Sequence, residues 1–141
     1  PVSGGGSPAL LDGRILVVDD ENLNREVVCR RLQREGCRAT GARSGREALQ
    51  LLREEVFDAI LLDMQMPEMS GLEVLQALKS DEDLRQLPVI MLSAHTEVER
   101  VARCLELGAE DYLPKPISPK ALLEKVERWV GIASEAQRDA G

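Results

Sequence analysis

The chain has 141 residues, enough for one domain with one core. Aromatic residues make up 2% of it, so its core is aliphatic and it lacks the stacking platforms of single-strand nucleic-acid binders. A net charge of −7 opposes direct nucleic-acid binding by this chain, and no run of about 18 apolar residues offers a membrane span.

Residues 1–13 begin with a Gly/Ser/Pro-rich stretch and read as a flexible linker or an expression remnant. The N-terminus lacks the basic-then-apolar order of a signal peptide. Cys29, Cys37 and Cys104 are widely spaced and outside metal-ligand patterns, as expected of reduced thiols in a cytoplasmic protein. From Arg14 onward the pattern alternates strand and helix five times. Arg14–Val18 predicts a strand, and Leu23–Glu35 a helix stopped by Gly36. Cys37–Ala42 predicts a more polar strand at a sheet edge. Ser44 and Glu47 have the capping-box spacing that opens a second helix. Phe57–Leu62 is a nearly continuous apolar run, the mark of a strand buried on both faces. It is followed by Met64, Met66 and Met69, read as loop packing.

Ser70 and Glu73 repeat the capping box for a third helix, and Pro88–Leu92 predicts a fourth strand. Thr96 and Glu99 form another capping box, before a helix whose Val98, Val101, Ala102 and Leu105 have the spacing of one buried face. Gly108 ends it. Asp111–Leu113 predicts a short fifth strand. Ser118-Pro119 supplies an N-cap and a proline at the first helical position, and Leu123, Val126 and Val130 line one face of the helix that follows. Residues 132–141 read as a polar tail or a helix extension.

This alternation predicts an α/β fold, a doubly wound parallel sheet with helices on both faces and a ligand site beyond the carboxyl ends of the strands. Chemistry gathers there. Asp19, Asp20 and Glu21 follow the first strand, Asp63 the third, Ser93 the fourth, and Lys115-Pro116 the fifth. Three aspartates in one pocket repel one another and need a cation to stay ionised. Oxygen-only ligands suit a hard divalent ion, Mg²⁺ or Mn²⁺. A lysine and a hydroxyl suit the oxygens of a phosphoryl group, and a carboxylate can itself accept one.

These residues carry a family resemblance. Val17-Val18-Asp19-Asp20, Leu61 to Pro67 with Gly71, Ser93-Ala94, and Gly108 to Pro116 stand in order at successive strand ends. Over residues 14–131 the chain resembles the receiver domains of bacterial two-component response regulators. The resemblance implies a flavodoxin-like (βα)5 fold with strand order 2-1-3-4-5. It implies that Asp63 accepts a phosphoryl group from a sensor histidine kinase or phosphotransfer protein. Asp20 and Asp63 would hold Mg²⁺ directly, with Asp19 acting largely through water and the Gln65 carbonyl as a further ligand. Ser93 would bind a phosphoryl oxygen, Lys115 would neutralise its charge, and Tyr112 would rotate when Ser93 moves. The chain would be no enzyme toward a separate substrate, although it would catalyse its own phosphotransfer and autodephosphorylation.

Further expectations follow. Gln65 and His95 should border the approach of water to the aspartyl phosphate and tune its lifetime. His95, the only histidine, has no nitrogen or sulfur partners in sequence that would make it a metal ligand. The Lys115–Pro116 bond should be cis, the isomer that only X-Pro linkages adopt cheaply. A weak, phosphorylation-dependent homodimer should use the face of the fourth helix, fifth strand and fifth helix, where Glu99, Arg103, Glu106, Asp111, Lys120, Glu124 and Arg128 mix charges. Two rival functions compete. An aspartyl-nucleophile phosphatase would carry a second acid two residues after the nucleophile, where Gln65 stands. A degenerate receiver acting only as a docking module would lack some of the site residues.

Overall fold

Ile15, Leu16, Val17 and Val18 are fully buried, as befits the middle of a sheet. A computed structural model of the chain describes residues 13–94 and 98–140, with side chains to Val130. The first strand, β1 (Arg14–Val18), is followed by α1 (Asn22–Arg34), β2 (Arg38–Ala42), α2 (Gly45–Glu54) and β3 (Ala59–Asp63). Then come α3 (Gly71–Ser80), β4 (Val89–Ser93), α4 (Val98–Glu106), β5 (Asp111–Pro114) and α5 (Pro119–Ala140). The strands form one parallel sheet in the order β2-β1-β3-β4-β5, the predicted order. The more polar second strand is at an edge, as its composition demands, while β3 and β4 are buried at every position.

The period-two alternation of each strand divides the core into two layers. Leu16, Val18, Ile60, Leu62, Val89 and Met91 point to the face covered by α2, α3 and α4, packing on Leu52, Val74, Leu78 and Cys104. Ile15, Val17, Leu61, Ile90 and Leu92 point to the face covered by α1 and α5, packing on Val28, Leu32, Leu122 and Val126. At about 25 cal/mol per Å² of buried apolar surface, these aliphatic layers supply the main stabilisation in a chain this poor in aromatics. Met64 and Met66 are buried against the first layer and Met69 packs on its edge.

The caps follow the sequence. Ser70 and Glu73 form the full reciprocal box at α3. At α2 the Ser44 side chain accepts from Glu47 N at 3.1 Å, but Glu47 reaches back to Arg43 N rather than to Ser44. Gly36, just after α1, has φ 96°, the left-handed conformation that glycine adopts without a Cβ penalty. At α5, Ser118 Oγ accepts from Ala121 N at 3.3 Å. The helix continues to Ala140, so the described part of the polar tail is a helix extension.

Two predicted helix faces hold in part: Val101 of α4 and Val126 and Val130 of α5 are buried as expected, and their other members are corrected. Val98, Ala102 and Leu105 of α4 are exposed, Val98 by 72% and Leu105 by 40%; the inward stripe is Val101 and Cys104, with Leu107 packed beside them. Both stripes have helical spacing in a helix of nine residues, and the choice fell to Cys104, a small apolar side chain that fits close to the sheet. On α5 the deepest residue of the first turns is Leu122, while Leu123 is only partly buried. The expected linker up to Asp12, and Thr96 of the third capping box, lie outside the described residues.

Candidate functional site at the carboxyl edge of the sheet

Parallel pairing brings the chemistry-bearing residues to one edge. Val18 pairs with Leu62, Asp63 with Leu92, and Ser93 with Pro114, so Asp19, Asp63, Ser93 and Lys115 all stand at or just past the ends of adjacent strands. The backbone holds each in place. Asp19 N donates to Ala42 O at 3.1 Å, Met64 N to Leu92 O at 3.0 Å, and Lys115 N to Ser93 O at 2.8 Å. The Lys115–Pro116 bond is cis, as predicted. Gly71 opens α3 directly against this edge: its N donates to Met64 O at 2.9 Å, and a Cβ there would lie 2.1 Å from the Asp63 carbonyl oxygen.

Asp19 and Asp63 are buried and Asp20 is exposed. One carboxylate oxygen from each lies within 4.8 Å of the others. Lys115 Nζ is 2.9 Å from Asp63 Oδ1 and 3.6 Å from Asp19 Oδ2. Asp19 Oδ1 accepts from Glu21 N at 2.9 Å, whereas the buried Asp19 Oδ2 has no hydrogen-bond partner. A buried carboxylate oxygen without a donor is costly. Three convergent carboxylates around such an oxygen, one of them open to solvent, fit a hard divalent cation.

The electrostatics agree with a strained acidic pocket. The Asp63 carboxyl is raised to about 6, chiefly by burial and also by the Asp19 charge, against the lowering effect of the Lys115 hydrogen bond and charge and of the Gln65 backbone. Burial alone would lower Lys115, but its bond to Asp63 and the charges of Asp63, Asp19 and Glu21 raise it, so it stays a cation.

Ser93 is buried at the tip of β4. The Gln65 side chain is exposed just beyond Asp63. Tyr112 is not in the pocket: it is 41% exposed on β5, with Lys125 Nζ 5.6 Å from its ring centroid. His95 lies outside the described residues.

Asp111 is a correction. It was expected to contribute charge to an exposed face, but it is 8% exposed and tied within the chain. Its carboxylate accepts from Lys125 Nζ at 2.6 Å, Trp129 Nε1 at 3.1 Å and Tyr112 N at 2.9 Å. Burial raises its carboxyl, but these donors outweigh it and hold the group below the usual carboxylate range. The only sequence signal for this knot was Lys125 and Trp129 at i and i+4 on α5, a spacing that shares one helix face.

A doubly wound parallel sheet with three convergent carboxylates and a lysine at its carboxyl edge defines a class, the α/β domains with an acidic site at the strand ends. Comparison narrows it. Residues 15–127 match the family model described as the response regulator receiver domain. The chain is 40% identical over 119 residues to the polar-differentiation response regulator DivK of Brucella ovis, covering 84% of this chain and 97% of that one. It is likewise 40% identical over 117 residues to the two-component response regulator ORR11 of Oryza sativa subsp. indica, covering 82% and 77%. Among solved structures, chemotaxis protein CheY4 of Vibrio cholerae is similar with a TM-score of 0.79 and 33% identity, covering 84% of this chain and 98% of that one. The receiver domain of a signal transduction histidine kinase from Syntrophus aciditrophicus is similar with a TM-score of 0.78 and 36% identity, covering 84% and 90%. The chain therefore belongs to the response regulator receiver domain family and is a receiver domain of two-component signalling.

Proposed function

We propose that Asp63 is the phosphoacceptor of this receiver, within a functional unit spanning residues 14–131. The observation that carries this reading is the pairing of buried Asp63 with Lys115 at 2.9 Å, inside a cluster of three carboxylates. An Asp63 oxygen attacks the phosphorus of a phosphohistidine donor; a P–O bond forms as the P–N bond breaks, and the imidazole leaves with the electron pair. Lys115 moves from the carboxylate to the incoming phosphoryl oxygens, and the Ser93 hydroxyl donates to one of them. Asp19, Asp20 and Asp63, with the Gln65 carbonyl, would hold Mg²⁺ or Mn²⁺, which when bound supplies electrostatic stabilisation of phosphoryl charge. Gln65 and His95 tune hydrolysis of the product, and Tyr112 responds to movement of Ser93.

The donor, a histidine kinase or phosphotransfer protein, docks beside this site in the cytoplasm. A groove of about 550 Å³ runs between α1 and the start of α5, with Lys115 and Pro116 on its rim. Leu23 and Val27 of α1 expose 71% and 56% of their surface there. An apolar helix face of the donor seated on them would bring its phosphohistidine within reach of Asp63. A weak homodimer formed on phosphorylation is a second reading. It is favoured by the exposure of Val98 and Leu105 on α4 and of Tyr112 on β5.

Incubation with acetyl phosphate and Mg²⁺ tests the central reading. The intact mass should rise by one phosphate, with the gain abolished by EDTA and missing from Asp63→Asn. A gain that persists in Asp63→Asn would assign the phosphate elsewhere.

A further inference from the structure

The β1–α1 loop that carries Asp19 and Asp20 is held by a side chain from the helix that follows it. Arg25 Nη1 donates to the Asp19 backbone carbonyl at 2.8 Å, and Nη2 donates to Asn22 Oδ1. One guanidinium thus ties the first residue of the loop to the first turn of α1. The helix lacks a side-chain cap: Glu21 is its N-cap residue and makes no capping hydrogen bond. Asp19 Oδ1, which accepts from Glu21 N, is the remaining side-chain link across the loop.

To reach Asp19 O, Arg25 crosses the edge strand β2 at Gly41. A Cβ on Gly41 would lie 3.0 Å from Arg25 Cδ and 3.2 Å from Cγ and Nε. Gly41 is not among the positive-φ glycines, so its backbone accepts alanine and the missing side chain matters for space. Gly41 pairs with Val17, two residues before Asp19, so the passage over the strand is in register with the loop it serves.

We infer that Arg25, lying in the space left by Gly41, is a positioning residue that fixes the Asp19-Asp20 carboxylates for the divalent cation. This rests on the metal reading proposed above for these carboxylates. Arg25 acts through the backbone and does not bond to the carboxylates. It sets where they stand, leaving their oxygens to the cation and Lys115. Such supporting contacts commonly change metal affinity by tenfold or more.

The experiment has two arms, on wild type, Arg25→Ala, Gly41→Ala and the double variant. In metal-free protein, hydrogen exchange of the Asp20–Asn22 amides should quicken about tenfold in Arg25→Ala, because the loop loses a bond of the charge-assisted class. Mn²⁺ titration should show about tenfold weaker binding in Arg25→Ala and a smaller loss in Gly41→Ala. The double variant should be no weaker than Arg25→Ala alone, since alanine at 41 has nothing to displace once the arginine is gone. Unchanged loop exchange in Arg25→Ala, or additive losses in the double variant, would overturn the inference. A wild-type chain that binds no Mn²⁺ would overturn the metal reading instead, and the exchange arm would still decide whether Arg25 orders the loop.

Discussion

The Lys115 ammonium and the Asp63 carboxylate, 52 positions apart in sequence, meet at 2.9 Å at the ends of β5 and β3. The contact has two opposite consequences. It keeps a buried carboxylate tolerable, and it places a cation on the atom that the phosphoryl group would occupy. Lys115 also stands 3.6 Å from Asp19 Oδ2, so it would compete with a divalent ion bound at the same oxygens. Removing it should therefore separate binding from chemistry. Lys115→Ala is expected to bind Mn²⁺ more tightly than wild type, because a like charge has left the site. Its phosphorylation by acetyl phosphate should fall about a hundredfold, the scale of losing one charge-stabilising donor. Mn²⁺ titration beside timed intact mass separates the two effects; weaker Mn²⁺ binding would contradict this account of the pair.

The elevated Asp63 pKa predicts a pH-dependent stability difference. A carboxyl raised to about 6 in the fold favours the protonated folded form. Its contribution to stability is fully present below the unfolded value near 3.8 and is lost as pH rises through about 6. Asp63→Asn carries no such ionisation. In metal-free buffer at pH 7.5 it should be more stable than wild type to urea, by on the order of 2 kcal/mol. The advantage should shrink between about pH 6 and pH 4. A constant difference across that range would mean that another group controls it.

Gly71 is the steric counterpart of Asp63. A Cβ at this position would sit 2.1 Å from the Asp63 carbonyl oxygen and 3.0 Å from Met64 Cα, both backbone atoms that cannot swing away. Gly71→Ala should push α3 off the strand end. A loss of stability on the order of 3 kcal/mol is expected from such overpacking, with slower acetyl-phosphate labelling as Asp63 shifts. Urea denaturation of the variant measures the first effect directly. A stability within about 0.5 kcal/mol of wild type would show that the helix start yields freely.

Gln65 is exposed two residues beyond Asp63. Its amide can orient an attacking water or obstruct one. Gln65→Ala should change the rate of aspartyl-phosphate loss by more than about twofold, roughly 0.4 kcal/mol in barrier, while leaving Mg²⁺-dependent labelling intact. The decay of the phosphorylated mass after removal of acetyl phosphate provides the rate. Decay within twofold of wild type would remove Gln65 from control of the lifetime.

The Asp111 carboxylate, held low by Lys125 and Trp129, contributes stability present above the usual carboxylate range and lost as pH falls through its lowered value. Asp111→Asn should therefore be less stable than wild type at pH 7, with the gap narrowing in acid. Urea denaturation at pH 7 and pH 3 provides the comparison; a gap that does not narrow would assign the effect to packing.

The sequence by itself determined the sheet and which side chains arrive at its carboxyl edge. Apolar runs such as Ile60-Leu61-Leu62 and the capping pair Ser70 and Glu73 are local signals, and local signals survive folding. Asp19, Asp20, Asp63, Ser93 and Lys115 were legible because parallel strands all deliver their carboxyl ends to one edge. Only the tertiary structure decided which stripe of α4 turns inward. Val101 has helical spacing with Val98, Ala102 and Leu105 as well as with Cys104, and the choice between them depends on the shape of the sheet surface below. It also decided that Asp111 is buried in a knot with Lys125 and Trp129, and that Arg25 crosses Gly41 to reach Asp19. These contacts join residues of different elements, and their distances depend on how the elements pack. Residue spacing along the chain carries no record of that packing.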